Sequence, residues 1–145
     1  MTTVERIIAA EPAQVFAALA DGWNYPLWVV GASHMRDVDP GWPTVGARLH
    51  HSVGVWPVLL EDDTEVLEVE PDRRLVLSAR AWPSGTARVE IELAPHPAGT
   101  TVRMTETAES GPATLIPRPV QAALLTPRNR ESLARLDAVA RNRVA

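Results

Sequence analysis

The side chains in this chain that could move a proton are four histidines, eighteen carboxylates and a single tyrosine, Tyr25. All fourteen basic residues are arginine, which stays charged and cannot act as a base. Cysteine and lysine are both absent. That excludes a thiol nucleophile, a disulfide framework, a cysteine-ligated zinc or iron–sulfur centre, a Schiff base and a lysine-dependent phosphate loop.

Two titratable residues are set apart by their neighbours. Over residues 100–108, period-two alternation puts Val102, Met104, Glu106 and Ala108 on one face and Thr101, Arg103, Thr105 and Thr107 on the other. Glu106 is then the odd member of an apolar face. Desolvated there, it would be a general acid or base, or an anchor for a ligand hydroxyl; at the strand's end it would be solvated or paired with an arginine. Over residues 47–53, Leu49, His51 and Val53 share one face, so the adjacent His50 points the other way. His51 is the histidine expected to face an interior, where it would exchange a proton near neutral pH or simply hydrogen-bond at the wall. His34 ranks below it, because Met35 argues that His34 points outward. Adjacent histidines cannot ligate from one strand face and no histidine pair stands at i, i+4, so no metal site is expected.

Five tryptophans, at 23, 28, 42, 56 and 82, accompany one Phe and one Tyr. Trp28, Trp56 and Trp82 fall where turns and a cavity mouth are expected, so they would stack on a flat apolar ligand or pack as core and loop residues.

The elements that must position these residues follow from the same periodicities. Residues 3–10 read as a strand, and Pro12 opens a short helix whose apolar pairs are Val15 with Leu19 and Phe16 with Ala20. Gly22 ends it, and the aromatic stretch from Trp23 to Ala32 is a short helix or buried loop. Strands are expected over 33–39, 46–54, 59–70, 73–82, 86–94 and 100–108, each separated by proline or glycine turn chemistry. Ala87, Val89, Ile91 and Leu93 against Arg88, Glu90 and Glu92 is the clearest alternation, that of an antiparallel strand with one buried face. After Gly111 the pattern turns helical, with Val120, Ala123, Leu124, Leu133, Leu136 and Ala140 as an apolar stripe. Glu131–Arg135 and Asp137–Arg141 are i, i+4 pairs in the favourable order. Pro127 is expected to kink this helix or to begin its main segment with Thr126 as the cap. At 145 residues the chain makes one α+β domain, residues 1–145.

This layout resembles the START-like helix-grip fold of the SRPBCC superfamily, and within it the bacterial group of polyketide cyclases/dehydrases and lipid transport proteins. The similarity is carried by Ala10 to Ala20 at the strand-to-helix junction, Trp28 with Gly31, and Val45-Gly46-Ala47-Arg48 leading into the third strand. It continues through Glu65 to Pro71 followed by Arg74-Leu75-Val76, and through Gly99-Thr100-Thr101-Val102. These motifs are structural. The resemblance implies a seven-stranded antiparallel sheet wrapped around a long C-terminal helix, two short helices after strand 1, and an apolar cavity between sheet and helix for lipids, polyketides or similar ligands.

Charge is divided unevenly along the chain. Residues 113–145 carry six arginines against two carboxylates, net +4, and the rest carries eight against sixteen, net −8. The overall −4 argues against general nucleic-acid binding. The acid run Glu61, Asp62, Asp63, Glu65, Glu68, Glu70, Asp72 reads as a solvated strand face or a dock for a basic partner. No apolar run reaches the ~18 residues of a membrane span and no basic-then-apolar leader opens the chain, so a cytoplasmic location is the default expectation.

The expected function is binding of a hydrophobic small molecule as a carrier or sequestering protein, with Trp28, His51, Trp56, Trp82, Met104 and Glu106 as ligand contacts. No cofactor is expected, and the chain would act as a monomer or homodimer. The alternative is a polyketide cyclase or aromatase in which His51 or Glu106 assists enolisation and loss of water. A macromolecular interaction module using the basic helix ranks third. The residues alone leave open whether a reaction is catalysed.

Overall fold

The computed structural model describes residues 1–29, 32–55, 58–81 and 85–142. Strand β1 (Thr2–Ile8) buries Val4 and Ile8 by alternation. Helix α1 (Pro12–Ala20) has a proline in its first turn, where the missing N–H costs nothing, and buries Val15, Phe16, Ala18 and Leu19. A 3₁₀ turn (Gly22–Asn24) leads into α2 (Tyr25–Trp28), which buries both of its terminal aromatic residues. Strands β2 (Ala32–Val38), β3 (Arg48–Val55), β4 (Val58–Glu70), β5 (Arg74–Ala81), β6 (Gly85–His96) and β7 (Gly99–Ser110) follow as a meander. A second 3₁₀ turn (Pro112–Leu115) precedes α3 (Arg118–Arg141).

The sheet order is β1-β7-β6-β5-β4-β3-β2, antiparallel throughout, so the chain crosses from one edge to the other only once, through α1 and α2. That crossover lays the short helices over one face, where α3 packs against β1, α1 and α2. Ile91, Leu75, Val66 and Val102 of the sheet, Val15 and Leu19 of α1, and Leu133, Leu136 and Ala140 of α3 are the buried apolar core between the layers. This is the helix-grip architecture expected from the period-two strands and the terminal helical stretch.

On the opposite face the acid run is laced with arginines. Glu68, Val76 and Glu90 lie in one row across β4, β5 and β6. Arg74 and Arg88 each reach both Glu68 and Glu90, at 2.9 to 3.5 Å, and Val76 between the carboxylates is fully buried. The arginine stems shield the valine while their heads stay wet. Further along, Arg48 pairs with Asp63 and Glu65. Within the acid run Asp63, Glu65 and Glu68 are therefore paired with arginines of their own and neighbouring strands.

Two expectations for α3 are corrected. Thr126 does not begin the main segment: the helix runs unbroken from Arg118 with Pro127 inside it. Nor do the apolar residues form a single stripe, since Leu133, Leu136 and Ala140 are buried while Val120 and Leu124 are exposed. Nine residues separate Leu124 from Leu133, about two and a half turns at 100° per residue, which puts them on opposite sides.

Candidate functional site

The sheet face beneath α3 is mostly apolar: at one end of β7 buried Thr100 donates to the Ala10 carbonyl, and the larger polar patch lies at the other end. Glu106 on β7 lies opposite Val89 of β6 and Thr2 of β1, one alternation beyond buried Met104, so it faces inward as its neighbours required. Its carboxylate is not free. Arg128 Nη2 donates to both oxygens, at 2.7 and 2.8 Å, and Asn129 Nδ2 donates to Oε1 at 3.3 Å. Arg128 Nε in turn donates to Asn129 Oδ1 at 3.4 Å. The Glu106 side chain is 11% exposed and that of Arg128 42%, so the pair runs from the interior to the surface.

Tyr25 and Thr64 extend this polar patch inward. The phenol and the Thr64 hydroxyl share a hydrogen bond of 3.4 Å, and both residues are buried. Thr64 sits on β4 between Leu49 of β3 and Ala79 of β5, on the core side of the sheet. Burial pushes the Tyr25 phenol up from its usual range and the nearby Glu106 charge adds to this, against the Thr64 bond and the Arg128 charge, which lower it. The phenol thus stays neutral at physiological pH and can donate a hydrogen bond. Trp28, one turn on, meets the Tyr25 ring edge-on with centroids 5.5 Å apart.

Asn129 and Ser132 are buried polar residues on α3, on the same side as Leu133, Leu136 and Ala140. The spacing 129, 132, 133, 136, 140 is that of one helix face, and it was legible in the sequence. The sequence reading missed Asn129, Ser132, Thr64 and Arg128 because each looks like an ordinary solvated residue until its face is known.

The other expected site residues are distributed differently. Trp28 and Met104 lie in the packed core, with 4% and 3% exposure. The backbone of His51 lies on β3 opposite Asp62 and Met35, and that of His34 on β2 opposite Ser52; their side chains lie outside the described residues. Trp56 and Trp82 also lie outside them. His50, on the outer face, is held 3.0 Å from Asp39, whose carboxyl is lowered by that bond and by the Arg48 backbone N–H. Among the described residues no group of three or more His, Asp or Glu is placed to hold a metal ion. No described helix is long and apolar enough to cross a membrane. A separate open groove of ≈ 540 Å³ lies at the surface between α1 and β2, walled by Trp23 and Trp42.

A seven-stranded antiparallel sheet gripping a long terminal helix, with a polar patch at one end of a mostly apolar interface, defines a START-like protein. The chain belongs to the polyketide cyclase/dehydrase and lipid transport family, which matches residues 2–141. Among solved structures it is similar to a Rhodobacter sphaeroides protein, with 25% identity and TM-score 0.72, covering 94% of this chain and 91% of that one. It is also similar to a Mesorhizobium loti protein, with 23% identity and TM-score 0.71, covering 99% and 98%. The di-domain ARO/CYC StfQ from the steffimycin biosynthetic pathway matches with TM-score 0.74 at 12% identity, over 96% of this chain and 49% of that one. Among curated proteins none matches significantly.

Proposed function

We propose that this chain binds a hydrophobic small molecule carrying an oxygen function, held between the sheet and α3 as a carrier or sequestering protein would hold it. The observation that carries this reading is the patch of Tyr25, Thr64, Glu106, Arg128 and Asn129 at the end of a mostly apolar sheet–helix interface. Apolar burial supplies affinity there, and a few placed polar groups supply orientation. Tyr25 offers a neutral donor to a carbonyl, and Arg128 a cation to an acidic group. His51, Trp56 and Trp82 remain in the proposed ligand surface on the sequence pattern, with Trp28 and Met104 as its floor. A cytoplasmic location is part of the same proposal.

Native mass spectrometry of the purified chain against its denatured mass tests this directly. A species of a few hundred daltons that travels with the folded protein, and binds Arg128→Ala and Glu106→Gln variants about tenfold more weakly, supports the reading. A retained ligand whose affinity neither variant changes sinks the assignment of the patch.

The likeness to StfQ favours a second reading as an aromatase or cyclase. In it Tyr25 would hydrogen-bond a keto oxygen while a cavity acid or base assists enolisation. Such an enzyme should lose ~10²-fold in rate on Tyr25→Phe or Glu106→Gln, whereas a carrier loses only affinity.

A further inference from the structure

The groove between α1 and β2 lies at the surface, outside the sheet–α3 interface, and its volume falls in the range of small-molecule sites. Two short turns build it. The 3₁₀ turn Gly22–Asn24 supplies Trp23, and the turn that follows β2 supplies Asp39 and Trp42. Both walls are fixed in place. Gly22 is buried with no room for a side chain, since an added Cβ would fall 2.6 Å from Leu49 Cδ2 and 2.8 Å from Val38 Cγ1. Trp42 Nε1 donates to the Leu19 carbonyl at 3.3 Å and the Trp42 N–H to the Asp39 carbonyl at 3.0 Å, which ties the second wall to α1.

Packing does not account for what the groove presents. Trp23 is 58% exposed, a large apolar surface left to solvent, and among the described residues it stacks on no other ring. The lining holds two carboxylates, Asp21 and Asp39, and among the described residues no basic side chain. Arg48 gives Asp39 only its backbone N–H, at 2.9 Å, while its guanidinium is held by Asp63 and Glu65. His50 shares a hydrogen bond of 3.0 Å with Asp39 Oδ1, and Asn24 Nδ2 donates to Asp21 Oδ2 at 3.2 Å. These bonds hold both carboxylates in position. They also leave acceptor capacity on Asp39, because an ionised carboxylate offers about four lone-pair sites.

We propose that this groove binds a small organic ammonium ion, its cationic head set against the Trp23 and Trp42 rings and the Asp21 and Asp39 carboxylates. A tryptophan face is the best ring partner for a cation, and carboxylates beside it favour that charge over a neutral or anionic ligand. Charge also selects this occupant over a second copy. A two-fold contact between two such grooves would bring the carboxylates of both copies together. The inference stands on the surface groove alone and does not depend on the ligand reading of the sheet–helix interface.

NMR titration of the full chain with phenethylammonium, against 2-phenylethanol as a neutral molecule of similar shape, tests it. The titration is run at about pH 8, where an aliphatic amine is charged and a histidine is ordinarily neutral. The ammonium is expected to shift the backbone signals of Gly22 and Trp23 and the Trp42 indole N–H with a dissociation constant of ~1 mM, and the alcohol to bind about tenfold more weakly. Trp23→Leu, which keeps an apolar side chain at an exposed position, should weaken the ammonium about threefold. Asp21→Asn/Asp39→Asn should weaken it about fivefold and narrow the gap to the alcohol. No shift at ~20 mM overturns the proposal, as do equal affinities for the two probes, shifts at Tyr25 and Asn129 in place of the groove, or binding that neither variant weakens. A lysine-rich peptide that binds the groove more tightly than the amine overturns it in favour of a protein partner. A dimer in sedimentation velocity that Trp23→Leu dissociates overturns it in favour of self-association.

Discussion

At Asp137 two arginines from different parts of the chain converge on one nearly buried carboxylate. Arg6 of β1 donates to Oδ2 at 2.7 Å, and Arg141, one turn on along α3, to Oδ1. Burial pushes the carboxyl up, but the two guanidiniums outweigh it and the group is lowered below its usual value. A lowered folded value means stability that is full above the ordinary carboxylate range and is lost as pH falls through the folded value. Asp137→Asn is expected to cost about 1–2 kcal/mol near neutrality, discounted because both arginines are partly exposed. Urea unfolding checks it, and the gap from the unmodified chain should close progressively below the ordinary carboxylate range. Tyr25 works in the opposite sense. Its raised value keeps the folded phenol neutral while the unfolded one ionises, so its contribution is full below the ordinary phenol value and declines as pH rises above it. Absorbance titration of Tyr25 should show no ionisation until beyond the range of a free phenol; ionisation within that range would contradict its burial against Thr64 and Glu106.

At the scale of elements, α3 divides into two differently buried halves. Leu133 and Leu136 are held in the core at 1% and 0% exposure, so alanine at either should cost about 2–5 kcal/mol in chemical unfolding. Leu124→Ala, on the exposed half, should change stability by no more than about 0.5 kcal/mol. Equal losses at 124 and 133 would show that the first half is packed after all. The β6–β7 turn makes a separate demand. Gly99 has φ +140°, and an added Cβ would fall against the Ile8 carbonyl oxygen of β1 and the Ala10 backbone. Gly99→Ala therefore combines backbone strain with a clash against the strand that closes the sheet, and should cost about 2 kcal/mol or more, read as a drop in melting temperature. A neutral outcome would mean that β1 can move away from the turn.

For the molecule as a whole, the charge asymmetry read along the sequence is partly met by ion pairs. Of the arginines in the C-terminal segment, Arg128 meets Glu106, Arg135 meets Glu131 and Arg141 meets Asp137. Three of the six arginines of that segment are thus engaged with carboxylates. On the outer face, Arg74, Arg88, Glu68 and Glu90 link three strands over Val76. Arg88→Ala removes part of that cover as well as two ion pairs. Its stability loss should persist in high salt, measured by urea unfolding with and without added sodium chloride, because covering the valine is not screened.

The sequence by itself determined the strands, the long terminal helix and their order, because period-two and period-3.6 patterns and turn residues are local signals. It also showed that Glu106 belongs to an apolar face, since alternation on one strand requires it. The apolar residues of α3 do not make one stripe, because the nine residues from Leu124 to Leu133 turn the helix by half a turn and put the two on opposite sides. Tertiary structure alone decided what Glu106 meets. Arg128 and Asn129 lie 22 and 23 residues away on another element, and Tyr25 joins through a helix four residues long whose buried face no periodicity can define. The partner of a buried charge is chosen by which elements pack together, and neither spacing nor composition records that choice.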